Sequence, residues 1–149
     1  MKTIEPIIME RTFKTSPEKI WRAISDKDEM KNWYFELAAF KPEPGFEFQF
    51  EGGDEHKTYM HLCKVTDAVP DKKLAYTWRY QGFEGDTVVS FELFPESDGT
   101  RVKLTHEGLE TFPESEPALA RQNFVAGWNH IIGTSLKEYL EKETVENLH

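Results

Sequence analysis

A chain of 149 residues, 38% hydrophobic and 30% charged, has the makeup of a soluble globular domain with one substantial core, which excludes the disordered and membrane-embedded classes. Eighteen basic against twenty-seven acidic residues leave a net charge of −9, and without a Lys/Arg cluster this argues against nucleic acid and anionic membranes as partners. Cys63 is the only cysteine, so neither an intrachain disulfide nor a Cys-based zinc site is expected.

The opening stretch, MKTIEPIIMERTF, lacks the apolar run of a signal peptide, and no segment approaches the length of a membrane span. A cytoplasmic protein is the expectation, folded as a single domain over residues 1–149. Ile4–Phe13 predicts a first strand, with Ile7, Met9, Arg11 and Phe13 on one face and Ile8, Glu10 and Thr12 on the other. Pro6 has no amide to donate and suits an edge or the strand's start. Ser16 as N-cap and Pro17 at the first helical position then open a helix with Ile20, Trp21 and Ile24 on its apolar face. A second short helix from about Asp28 should bury Met30 with Trp33 or Tyr34.

After the turn-rich Lys41–Gly45, Phe46, Phe48 and Phe50 alternate with Glu47, Gln49 and Glu51, the period of a half-buried strand. Gly52-Gly53-Asp54 predicts a hairpin into a third strand around Thr58–Val69. Leu74, Tyr76, Trp78 and Tyr80 mark a fourth strand, and Thr87, Val89, Phe91 and Leu93 a fifth. Asp98-Gly99 is a tight-turn dipeptide leading to a sixth with Val102, Leu104 and His106 on one face. A polar loop, Glu107–Glu116, precedes Pro117 and the longest periodic segment, Phe124–Lys142. There Phe124, Trp128, Ile131, Ile132, Ser135, Leu136, Tyr139 and Leu140 recur at three- and four-residue steps. Lys137, Glu138, Glu141 and Lys142 fall largely opposite, and Asn129 and His130 turn away from the apolar face.

The order β-α-α-β-β-β-β-β-α predicts an α+β fold. One long helix covers only one sheet face, so a curved antiparallel sheet of about six strands should wrap around the C-terminal helix, with the two short helices closing one end. The ordered motifs Ser16-Pro17-Glu18-Lys19-Ile20-Trp21, Trp33, Leu74–Trp78, Val89–Leu93, Gly99–Gly108, Phe124 with Gly127-Trp128, and Ser135-Leu136 span nearly the whole chain. Together they resemble the START-like (SRPBCC) superfamily, the helix-grip fold of the birch-pollen allergen. More closely they resemble its branch named after the activator of heat-shock-protein-90 ATPase. That resemblance implies a deep cavity between the long helix and the concave sheet, used across the superfamily for apolar ligands; some members are cyclases or dehydratases and others only bind. The eukaryotic co-chaperone of the branch carries this domain beside a second one, for which this chain has no room.

The inward faces and the resemblance nominate Trp33, Phe48, Trp78, Phe91, His106, Phe124, Trp128 and Ile132 as cavity residues; the competing reading is a packed aromatic core. Gly127 either allows close approach to the sheet or leaves space for a ligand. His106 could serve as a general base, hydrogen-bond a ligand carbonyl, or be a core histidine bonded to backbone. His56 and His61 with Asp54 and Glu55 form no convincing metal site, because the two histidines fall on opposite strand faces; a solvated turn is expected. Arg11 is expected in an ion pair, and Glu107, Glu110, Glu114 and Glu116 in a solvated connection rather than a lid. No Gly-rich phosphate loop, HExxH or GxSxG motif occurs, and neither cofactor nor metal is called for. The leading expectation is an intracellular binding protein for a small, mostly apolar ligand, lipid-like or polycyclic aromatic. The alternatives are a chaperone-interacting, stress-related module and a cyclase- or dehydratase-type enzyme with His106 as base; the oligomeric state is left open.

Overall fold

Period-two alternation builds six strands in the computed structural model, which describes residues 5–34, 37, 39–53, 58–113, 115 and 119–147. They are β1 (Ile7–Phe13), β2 (Glu47–Gly53), β3 (Thr58–Val69), β4 (Lys73–Tyr80), β5 (Thr87–Glu96) and β6 (Gly99–Glu107). Every pairing is antiparallel, in the order β1-β6-β5-β4-β3-β2. Hairpins join β3 through β6 in sequence and β2 pairs along β3, the connection from Asp54 lying outside the described residues, whereas β1 returns to pair with β6, placing Met9 opposite Leu104. A bulge between Val65 and Asp67 interrupts the β3–β4 register, the kind of feature that bends a strand and increases its twist. The turn after β5 falls on Ser97-Asp98, with Gly99 already opposite Glu96, one residue before the turn read from the dipeptide. Gly99 has φ +154°, and a side chain there would run into the Phe13 carbonyl, so the residue lets this hairpin close against the end of β1.

Helix α1 (Pro17–Ser25) starts as its sequence dictates, with the Ser16 hydroxyl accepting from the Lys19 amide at 3.3 Å. Asp26 caps α2 (Lys27–Met30) in the same way at the Asp28 amide, 2.8 Å. The short helix buries Met30, and both Trp33 and Tyr34 join the core beyond it rather than one of them. The Trp33 indole donates to the Ala23 carbonyl at 2.8 Å and fastens the two helices together.

The loop before the long helix departs from the solvated connection expected of it. Leu109 in the 3-10 turn Leu109–Thr111, then Phe112 and Leu119, are buried, because apolar side chains between the exposed glutamates find space at the end of the sheet. Glu107 and Glu110 are exposed; Glu114, Glu116 and Pro117 lie outside the described residues. The helix itself has three continuous segments: α3 (Arg121–His130), a π-helical turn (Ile131–Leu136) and α4 (Lys137–Asn147). Among the described residues no side chain caps its start; Arg121 donates to the carbonyls of Glu5 and Pro6 at 3.0 and 3.3 Å.

The π turn has a geometric cause. Trp128, Ile132, Leu136 and Leu140, all buried, are spaced four apart. At 3.6 residues per turn such a row drifts about 40° per step around the helix. The wider turn across Ile131–Leu136 takes up part of that drift and keeps the four side chains over the sheet. No helix among the described residues is long and apolar enough to cross a membrane.

Candidate functional site

The first turns of the long helix and the inner faces of β4, β5 and β6 meet in a layer of rings. Trp128 lies 5.5 Å from Trp78, 6.2 Å from Phe91 and 5.9 Å from His106 between ring centroids, and Phe124 lies 5.1 Å from His106. The structure therefore brings Trp78, Phe91, His106, Phe124 and Trp128 together. Among the described residues, Trp33 is linked to this group by Tyr34, which stacks on it at 4.9 Å and reaches Trp128 at 6.3 Å. Phe48 sits farther along the sheet, edge-on to Tyr76 at 5.1 Å and to Phe40 at 5.0 Å. Ile132, one turn beyond Trp128, is fully buried.

Trp78, Phe91, His106 and Trp128 expose 3, 1, 0 and 2% of their surface. Side chains lining an empty ligand-sized chamber would keep accessible surface, so these four rings pack against one another as core. Burial loosens toward one end. Around Tyr80, the rings of Tyr59 (5.7 Å) and Phe124 (6.5 Å) are half-buried, as is Phe83 next to Tyr59. Phe112 from the preceding loop stacks on Phe124 at 5.7 Å.

One hydrogen-bonded chain crosses the layer, and its protons can be assigned. The Trp128 indole N–H can only donate, and it lies 3.1 Å from His106 Nδ1, which must therefore be unprotonated. His106 then carries its proton on Nε2 and donates it to Thr87 Oγ1 at 2.8 Å, and Thr87 in turn donates to the Trp78 carbonyl at 2.6 Å. Burial drives the His106 imidazole down to about 3, far below its ordinary value of 6.5. A general base needs a nitrogen free to take a proton near neutral pH, and His106 has neither the free nitrogen nor the basicity. The base assignment is thereby set aside; His106 is a core histidine, bonded to two side chains rather than to backbone.

His61 departs from the solvated turn expected of it. It is buried, stacked on Phe50 at 4.5 Å, and packed against Trp78 and Tyr80 at 5.0 and 4.6 Å. Its Nδ1 lies 3.0 Å from the Tyr59 carbonyl, and burial lowers it to about 4. The alternation His61, Cys63, Val65 within β3 was the available signal. Asp54, Glu55 and His56 fall outside the described residues. Among those described, no group of three or more His, Cys, Asp or Glu side chains could hold a metal ion.

Arg11 donates to the Glu10 carbonyl at 2.8 Å and to Asn129 Oδ1 at 3.2 Å, so it links β1 to the long helix through an amide instead of the expected carboxylate. At Gly127 an added Cβ would meet nothing within 4 Å, so the glycine leaves space rather than allowing close approach. Gly127→Ala should accordingly raise stability by up to about 1 kcal/mol, read as a higher melting temperature; a lower one would mean that the added methyl does meet a neighbour. Clefts also open on the outside of the molecule. One of about 600 Å³ crosses β2–β4 over Gln49, Leu62, Lys64, Thr77 and Arg79, and one of about 520 Å³ lies between Phe13, Lys14, Lys137 and Leu140.

An antiparallel sheet curved around a long C-terminal helix, with two short helices after the first strand, defines a START-like protein of the helix-grip class. The profile described as "Activator of Hsp90 ATPase homolog 1-like protein" matches residues 14–141, and the chain belongs to that family. It is 26% identical over 133 residues to the mouse activator of 90 kDa heat shock protein ATPase homolog 1; the match covers 89% of this chain but only 36% of that protein. A crystal structure of a Mesorhizobium loti protein superposes with TM-score 0.75 at 26% identity, covering 93% of this chain and 98% of the other. A solution structure of a Bacillus halodurans protein gives TM-score 0.67 at 27% identity, over 89% and 94% of the two chains.

Proposed function

We propose that this domain binds a small, flat, mostly apolar molecule, lipid-like or polycyclic aromatic, between the start of the long helix and the concave sheet. The supporting observation is the gradient of burial along the ring layer. Trp78, Phe91, His106 and Trp128 form a sealed floor, and Phe124, Tyr59 and Phe83 stand half-buried above it. A flat apolar ligand adds the missing layer there and removes apolar surface from water, the main favourable term in such binding. No catalytic step is assigned, since His106, the histidine beneath Phe124, is neutral and has both ring nitrogens bonded.

The test is a titration with the neutral fluorophore N-phenyl-1-naphthylamine, following energy transfer from tryptophan. Saturable binding at one site, weakened several-fold by Phe124→Ala, is the expected result. Unsaturable binding, or binding indifferent to Phe124→Ala, would overturn it. The family match supports a second reading, contact with a chaperone of the 90 kDa heat-shock class. Because the chain spans about a third of the length of the mouse activator, that protein's activity transfers only as a proposal. Stimulation of the purified chaperone's ATP hydrolysis by this chain would support it; no binding and no stimulation would end it.

A further inference from the structure

We infer that Tyr80 is the polar anchor of this site: its hydroxyl proton is kept for an acceptor oxygen on the bound molecule, so that the site favours flat apolar molecules bearing a carbonyl over plain hydrocarbons. The inference rests on the reading that a ligand binds at the Phe124 end of the ring layer.

Most buried hydroxyl protons in the domain are spent on acceptors within it. Ser25, Thr87 and Thr100 each donate to a main-chain carbonyl, of Trp21, Trp78 and Thr15 respectively. Tyr76 shares a 2.6 Å hydrogen bond with the Tyr34 hydroxyl. Tyr80 differs. Its oxygen accepts from the Trp78 indole N–H at 2.8 Å, and that N–H can only donate, so the bond leaves the phenol's own proton unspent. Among the described residues no acceptor takes that proton, although Tyr80 is only 7% exposed. A buried donor without an acceptor is costly, and the usual resolution is a water or a ligand atom.

Position makes a ligand atom the fitting partner. The Tyr80 ring lies among His61, Phe112, Tyr59 and Phe124, and the last two are the half-buried rings of the proposed entrance. The Trp78 bond fixes the phenol oxygen at the edge of the aromatic floor. A carbonyl oxygen on a ligand stacked over that floor would accept the Tyr80 proton, while the rest of the molecule contacts rings. Burial drives the Tyr80 phenol well above its ordinary range, so it stays protonated, and a donor, at neutral pH.

Two probes of nearly equal size test this, 2-acetylnaphthalene with an acceptor oxygen and 2-ethylnaphthalene without one, each titrated against tryptophan fluorescence. The expected result is that Tyr80→Phe lowers the ketone-to-hydrocarbon affinity ratio by roughly tenfold, the worth of one net hydrogen bond, and leaves ethylnaphthalene binding nearly unchanged. An unchanged ratio overturns the anchor alone. Binding of neither compound to the wild type overturns the ligand site and the anchor with it. Tyr80→Phe also strips Trp78 of its acceptor; if the variant fails to fold, the infrared carbonyl stretch of acetylnaphthalene bound to the wild type decides. A shift to lower frequency than in hydrocarbon solvent supports the anchor, and an unshifted band overturns it.

Discussion

Replacing Trp128 by alanine should lower the unfolding free energy by about 3–5 kcal/mol, the range for removing a large buried aromatic. The indole is 2% exposed and meets Trp78, Phe91, Tyr34 and His106. Its loss leaves a void in the floor and also strips His106 Nδ1 of its donor. Trp128→Phe separates the two effects. It keeps most of the ring volume and removes the N–H, so the remaining cost should be about 1–3 kcal/mol from the orphaned nitrogen, beyond a small packing loss. Urea denaturation followed by circular dichroism measures both variants. A domain of this size has roughly 5–15 kcal/mol in total, so the alanine variant should lose a large part of its stability. A cost below about 1 kcal/mol for the alanine variant would show that the helix does not grip the sheet through this ring.

Acid should destabilise the protein well above the range where carboxylates titrate. His106 and His61 have folded-state values of about 3 and about 4, against 6.5 when unfolded. The sign follows from proton counting. Above pH 6.5 both states are neutral and the full stability is present. Below 6.5 the unfolded chain binds protons at these two positions while the folded chain does not, so stability falls until the pH reaches the lowered values. Each histidine contributes a slope of up to about 1.4 kcal/mol per pH unit. Between pH 6.5 and 5 the pair should cost about 3 kcal/mol together. Melting temperature recorded across that window checks the prediction, and His106→Gln, which cannot titrate, should reduce the slope by about half. A flat profile from pH 6.5 to 5 would contradict the burial of both imidazoles. Protonating His106 Nδ1 also abolishes its bond to Trp128, so the start of the long helix is where the acid form should loosen first.

Strand alternation in Phe48–Phe50, Leu74–Tyr80, Thr87–Leu93 and Val102–His106 was sufficient to assign β2, β4, β5 and β6, because a side chain's face in a strand depends only on its parity. The Ser16-Pro17 start of α1 was equally legible, since a cap is a contact among residues a turn apart. Misplaced features all depend on partners far away in the chain. His61 reads as a polar residue near a turn until Phe50, Trp78 and Tyr80 surround it. Leu109 and Phe112 read as isolated apolar residues in an acidic loop until the end of the sheet offers them cover. The four-residue spacing of Trp128, Ile132, Leu136 and Leu140 was visible, but the π turn that reconciles it with a flat contact is decided by the sheet beneath.

By itself, then, the sequence determined which elements form and which faces turn inward, because periodicity and capping are local. Tertiary structure alone decided the state of the site. The tautomer of His106 and the packed floor of Trp78 and Trp128 follow from hydrogen bonds and ring contacts made across strands or between helix and sheet, which no spacing within a single element encodes, and even the Trp78–Tyr80 bond within β4 leaves the phenol proton unspent only because of what the rest of the fold places around it.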